Sequence, residues 1–441
     1  MINHWKSFGL DEGKGASNRT SEQIDMGGTA TLGTAAHNNL NQLTSVAGGG
    51  QMRVSGTLDE PATVSVSANG ASAVDASVDG SNNFEASVDV NEGSNTLSIS
   101  ATDYSGNDNT ATNNYTVQVT GPGNKTLTYD LNGNLLNDGD KTYTWDAENR
   151  LIKITYADSS STEFEYNGWD ERTRIIEKDS GGVEQSNKTY VWEYGKFDEE
   201  RDSTGTQVEK RFLAQGIEVV GAASPDDKLF YTWDHLGNTR ELVDDNQVVR
   251  ARYNYDPYGR ITKVSGDLDS DFLYTGHYYH EKSQLSLAWF RAYDADLGRW
   301  ISRDPIGYDD GPNIYGYVQG NPINYWDKDG RKGIGRNVGR HLEDLAKKIE
   351  KLKKDAEKGK NVKDKMEKLL GGNKTSDKDK RDLQIAIENM VNCKGNTFQD
   401  CMTICMIIAA DAGQIAILNC LGQCEKVAEK CCDEQRKKGK K

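Results

Sequence analysis

One short unit recurs along the middle of the chain, and it limits what that region can become more than any other feature. Leu127-Thr-Tyr-Asp-Leu-Asn-Gly-Asn-Leu is followed by Tyr143-Thr-Trp-Asp-Ala-Glu-Asn-Arg-Leu-Ile-Lys-Ile. Later come Phe230-Tyr-Thr-Trp-Asp-His-Leu-Gly-Asn-Thr-Arg and Tyr253-Asn-Tyr-Asp-Pro-Tyr-Gly-Arg-Ile-Thr-Lys-Val. Each is an aromatic strand, an Asp/Asn/Gly turn, then Arg or Leu and a second strand, which describes one β-hairpin. A single hairpin buries too little to stand alone, so units of this kind must stack on their neighbours into a continuous sheet.

The rest of the chain is built differently. Its 441 residues allow two to four domains, and 45 glycines against 7 prolines favour turns shaped by Gly and Asx side chains. Residues 49–121 hold period-two runs such as Ala62-Thr-Val-Ser-Val-Ser-Ala, Phe84-Glu-Ala-Ser-Val-Asp-Val, Thr96-Leu-Ser-Ile-Ser-Ala and Tyr115-Thr-Val-Gln-Val, which predict a small antiparallel sandwich resembling immunoglobulin-like modules of bacterial surface proteins. Residues 1–48 are aperiodic and rich in Gly, Asn, Ser and Thr, and read as an irregular linker. The opening Met-Ile-Asn-His-Trp-Lys is followed by polar residues and carries no signal-peptide pattern, so an export signal is expected upstream or not at all.

The recurring units resemble YD repeats, and residues 230–330, with WFRAYD, SRDPIG and YWDKDG in order, resemble the Rhs-associated core that closes such arrays. The resemblance covers residues 122–330 and implies a spiralling β-sheet shell around a C-terminal cargo, plugged by a core that in many members is an aspartyl autoprotease. It implies partners as well: further shell repeats encoded upstream, and an immunity protein. It also implies secretion or display at the cell surface. Carried over residue by residue, it assigns Asp304 and Asp327 as the protease pair and Arg291 as the group that orients them.

The chemistry needs two carboxylates close enough to share a proton, one activating water while the other donates. Asp-Pro and Asp-Lys-Asp-Gly are also ordinary turn sequences in which Asp caps the backbone without doing chemistry. The expected cut site departs from the family's Asp-Pro-x-Gly-Leu: this chain reads Asp327-Lys328-Asp329-Gly330-Arg331, and the bond between Arg331 and Lys332 is the expected one. An arginine entering an apolar cleft there would carry an uncompensated charge and hinder scission. His277-Tyr-Tyr-His280-Glu281 superficially matches zinc spacing but falls in a hairpin context, so no metal is assigned. No motif points to a cofactor or a small-molecule substrate.

The last 111 residues change in texture. Residues 331–441 carry 26 basic and 17 acidic residues (+9), against 27 and 51 (−24) for the remainder. A basic segment suits nucleic acid or an anionic membrane, although a solvated helical domain has the same charge. Leu342, Leu345, Ile349 and Leu352 fall at helical spacing, as do Leu383, Ala386, Ile387 and Met390, and predict a small all-α domain. All seven cysteines lie here, with Cys401 and Cys405 mirroring Cys420 and Cys424 about Ala412–Gly413. Two antiparallel helices would align Cys401 with Cys424 and Cys405 with Cys420, with Cys393 and Cys432 as a third, less regular pair and Cys431 left over. The same spacing also suits thiols that hold a metal or are buried as apolar groups. The apolar run Met402–Leu421 carries Asp411 and Gln414 at its middle and is a poor membrane span, and a single histidine, His341, leaves no pair for two-histidine nuclease chemistry.

Two functions follow as expectations: an exported repeat protein whose core releases a basic, toxin-like effector, or a surface structural or adhesive protein with an inert core and a disulfide-stabilised tail.

Overall fold

The computed structural model describes residues 5–10, 17–25, 29–104, 109–193 and 195–335. Over these residues the protein is mainly β, with helical turns limited to three short 3-10 segments. The expected helical domain from residue 336 onward, with all its cysteines, lies outside the described residues.

The hairpin units form a single 14-stranded antiparallel sheet in strict chain order, from Thr128–Tyr129 to Ile261–Gly266. Residues 161–219, outside the four units quoted above, continue this sheet without a break. The inner face supplies Leu151, Ile154, Phe164, Tyr190, Phe212, Leu242 and Tyr253 to one hydrophobic cluster, which is completed by Leu273, Leu285, Leu287 and Ile301 of the core that follows. That core is a four-stranded sheet, Tyr278–His280, Leu285–Leu287, Ala292–Asp294 and Arg299–Trp300, followed by irregular loops. It is stitched to the hairpin sheet by backbone bonds, Leu135 N–H to the Ile301 carbonyl (3.0 Å) and Thr239 N–H to that of Leu273 (3.2 Å).

Two facing sheets form within residues 50–120. The strands Gly50–Thr57, Ser77–Val78 and Asn83–Val90 form one, and Ala62–Ala68, Gly93–Asp103 and Thr110–Thr120 belong to the other. Their alternate residues Val64, Val66, Phe84, Ala86, Val88 and Leu97 share a second cluster.

Two expectations are corrected. Residues 1–48 are no linker in their described parts: Trp5–Leu10, Arg19–Asp25, Thr29–His37 and Leu43–Gly48 are strands. Thr29–His37 pairs in parallel with Thr110–Thr120, and its Ala30 and Leu32 join the sandwich core. Composition misled because so few large apolar residues are needed when pairing and polar contacts supply the order. Asn41 Nδ2 donates to the Pro312 carbonyl (3.2 Å), Asn313 Nδ2 to Asn18 (2.8 Å), and Arg260 forks onto the Glu22 carboxylate. The β-texture also does not stop at Gly330. Ile334–Gly335 pairs with Tyr325–Trp326, because Ile334 gains a buried seat beside Leu236 and Trp326.

Candidate active site

Arg291, Asp304 and Asp327 lie 13 and 23 residues apart in sequence and meet in the interior. Arg291 closes the tight turn that joins Leu285–Leu287 to Ala292–Asp294, where Ala288 N–H donates to the Arg291 carbonyl (3.0 Å). Asp304 follows Arg299–Trp300 and is pinned by its own N–H to the Ile314 carbonyl (2.9 Å). Asp327 follows Tyr325–Trp326.

One nitrogen joins the three. Arg291 Nη2 lies 2.8 Å from Asp304 Oδ2 and 3.2 Å from Asp327 Oδ2. Each carboxylate divides its oxygens in the same way. Oδ1 of Asp304 accepts the Ile306 N–H (2.9 Å), and Oδ1 of Asp327 accepts those of Gly330 (2.9 Å) and Arg331 (3.1 Å). Both aspartates therefore cap turns with one oxygen and face the guanidinium with the other. The remaining guanidinium donors are also used: Nε donates to the Gly330 carbonyl and Nη1 to that of Ile314 (3.2 Å), while the plane lies over the Trp300 ring at 4.4 Å.

Burial is what sets the electrostatics. Asp327 is 1% exposed, Asp304 8% and Arg291 3%. Loss of water pushes the Asp327 carboxyl up to about 7 and that of Asp304 up to about 6, with Arg291 opposing the rise in both. Both carboxyls that face Arg291 are thus held above the ordinary carboxylate range by burial.

Further groups surround the triad. Asp329 and Asp310 add acidic charge, and Asp310 Oδ2 accepts the Gly333 N–H (3.2 Å). His277 is buried, which lowers its pKa to about 4, so it is neutral. Its Nε2 lies 2.8 Å from the Asp327 carbonyl, which only accepts, so that nitrogen carries the hydrogen. His280 faces elsewhere, toward Glu177 (2.8 Å) and Ser283 (2.8 Å). Gly330, at φ +84°, is packed so closely that a Cβ would sit 3.1–3.3 Å from Arg291 and Ala288. The sequence named Asp329 and Gly330 as part of the expected cut site and His277 only for a superficial zinc spacing; Asp310 had no signal.

The chain at the expected cut site is held on both sides. The Arg331 side chain is not stranded in an apolar cleft, as the sequence suggested. It forks onto Asp329 (2.8 and 3.0 Å), lies 4.2 Å over the Phe290 ring and keeps partial contact with solvent, so its charge is compensated. Beyond Lys332, the Gly333 N–H is fixed by Asp310 and Ile334 by its strand pairing.

A sheet of stacked aromatic–Asp hairpins packed against a following core with a buried Asp–Arg–Asp cluster defines a class of β-repeat protein. Residues 145–182 match the RHS Repeat family. The chain is 25% identical over 220 residues to the tRNA nuclease WapA of Bacillus subtilis, a match covering 48% of this chain and 9% of that protein. It is 28% identical over 128 residues to the toxin protein Tse5 of Pseudomonas aeruginosa, covering 28% of this chain and 10% of that one. Among solved structures, the TcdB2–TccC3 crystal structure aligns over 74% of this chain and 17% of its own, at 16% identity and a TM-score of 0.39. The chain thus carries an RHS repeat and is similar, over part of its length, to Rhs-type toxin proteins. It spans about a tenth of the length of the relatives it matches in sequence.

Proposed function

We propose that this chain is the C-terminal part of a secreted, toxin-related Rhs protein whose core cuts its own backbone between Arg331 and Lys332 and frees the basic segment that follows. The observation carrying this reading is that the Asp–Arg–Asp cluster is bound to its own chain immediately before that bond. Arg291 donates to the Gly330 carbonyl, and Asp327 accepts the Arg331 N–H. The named relatives supply the toxin context, and their length supplies the upstream shell as a partner. An immunity protein would protect the producing cell.

The step is a hydrolysis. The ionised member of the pair takes a proton from water as the water oxygen attacks the Arg331 carbonyl carbon, and the protonated member donates. The C–N bond then breaks, leaving a carboxylate on Arg331 and an amine on Lys332. Placement of the chain contributes as much as the acids, because a tethered substrate needs no encounter.

Expression of the full chain, followed by intact-mass analysis, tests this. A fragment beginning at Lys332 is expected from the wild type and not from Asp304→Asn or Asp327→Asn. An uncut wild-type chain would leave the cluster as a structural ion triad inside an inert scaffold.

A further inference from the structure

A cavity of about 420 Å3 opens between the hairpin sheet and the core, sharing its floor with Arg291 and Asp304. The sheet contributes Trp145, Tyr166 and Arg172 to its wall, and the core contributes Trp289, Phe290 and Arg303. The charges here do not balance. Arg150, also at the wall, is matched by Asp146 (2.7 Å), Glu148 (2.9 Å) and Asp170 (3.2 Å). Arg172 is only 2% exposed and has no carboxylate partner among the described residues. Its guanidinium rests against the rings of Phe164 (5.4 Å) and Tyr166 (5.3 Å), and Nε donates weakly to the Tyr166 hydroxyl (3.3 Å). Among the described residues its Nη1 is buried without a hydrogen-bond partner, and so is the indole N–H of Trp289, which also lines the cavity.

A buried guanidinium without a counter-charge is costly, and a charged donor left unmade costs more than a neutral one. The cavity wall therefore includes one buried unmatched cation, one unmatched N–H and flat aromatic surface. That is the complement of a single planar carboxylate carried on an apolar or aromatic body. We propose that this cavity is a binding site for such a carboxylate, with Arg172 as its charge partner, Trp289 as a second donor and Arg303 steering from the rim. The carboxylate comes either from a free small molecule or from a peptide side chain inside the shell. The site stands on its own geometry and does not depend on backbone scission.

The test uses the full chain, titrated with benzoate, with benzamide as its uncharged counterpart, and with the end-blocked dipeptide Phe-Glu, each followed by NMR saturation transfer. Saturable benzoate binding is expected, weakened about tenfold or more in Arg172→Met, and benzamide should bind far less well. In buffer free of carboxylates, Arg172→Met should melt no lower than wild type, because a structural arginine would be missed and an unpaired one would not. Tighter binding of the dipeptide than of benzoate assigns the natural ligand to a peptide, and the reverse to a small molecule. The site is overturned if neither carboxylate binds saturably, if benzamide matches benzoate, or if Arg172→Met binds as the wild type does. Should Arg172→Met not fold, Trp289→Phe keeps the ring and removes one donor. A several-fold loss of benzoate affinity is then expected, and unchanged affinity counts against the site.

Discussion

Asp304 and Asp327 begin as ordinary turn residues, and what distinguishes them is where their second oxygen points. The turn aspartate Asp146, by contrast, gives that oxygen to its neighbour Arg150 (2.7 Å). Asp304 and Asp327 bury it against one guanidinium, where burial lifts their pKa values to about 6 and about 7. A pH dependence follows, on the reading that the core cuts itself. Below about 6 both acids are protonated and no base remains; above about 7 both are ionised and no acid remains. The rate of fragment appearance after a pH jump should peak between those values and fall on either side. Arg331 offers a second check. Its ion pair with Asp329 is partly solvated, so Arg331→Leu should change stability by no more than about 1 kcal/mol in a chemical melt.

At the level of the element, the hairpin unit has a repeated mechanism. Its Asp or Asn accepts the N–H groups two and four residues on: Asp146 from Glu148 and Arg150 (2.9 Å each), and Asn167 from Trp169 (2.9 Å) and Glu171 (3.1 Å). The third residue after it takes a positive φ, as Gly133, Asn149, Asp170 and Gly237 do, which is why Gly and Asx recur there. The register then slips at the aromatic residue, and the strand that follows exposes a carbonyl. The aromatic tip of the next unit takes that carbonyl: Trp145 Nε1 donates to Leu135 (2.7 Å), the Tyr166 hydroxyl to Leu151 (2.9 Å), and Trp192 Nε1 to Arg172 (2.7 Å). A polar-tipped aromatic is thus required by a hydrogen bond as well as by packing. Asp146→Ala, which strands two turn amides, should lower stability by about 1–2 kcal/mol, and Tyr166→Phe by about 1 kcal/mol, measured by denaturant unfolding of the full chain.

At the scale of the molecule, two hydrophobic clusters are separate, one in the sandwich and one between the hairpin sheet and the core. Cavity-forming changes should therefore act on different melting transitions. Phe84→Ala should weaken the first by about 3–5 kcal/mol and Leu242→Ala the second by about 2–5 kcal/mol, each leaving the other transition in place in differential scanning calorimetry. A shift of both transitions by either change would show that Leu43, which reaches into the second cluster from the N-terminal strands, couples them strongly.

What the sequence determined alone was the local part: period-two alternation, the aromatic–Asp–Gly turn and hence a sheet of stacked hairpins, since turn chemistry and strand period act over a few residues. The Asp–Arg–Asp constellation was legible only through its resemblance to a family pattern, because nothing in the spacing of residues 291, 304 and 327 says that they meet. Tertiary structure decided the rest. It gave strands to the described parts of residues 5–48, where Asn18 and Asn41 find partners far away in the chain. It also left Arg172 without a counter-charge among the described residues, because a buried charge is matched or unmatched only by what folding brings to it.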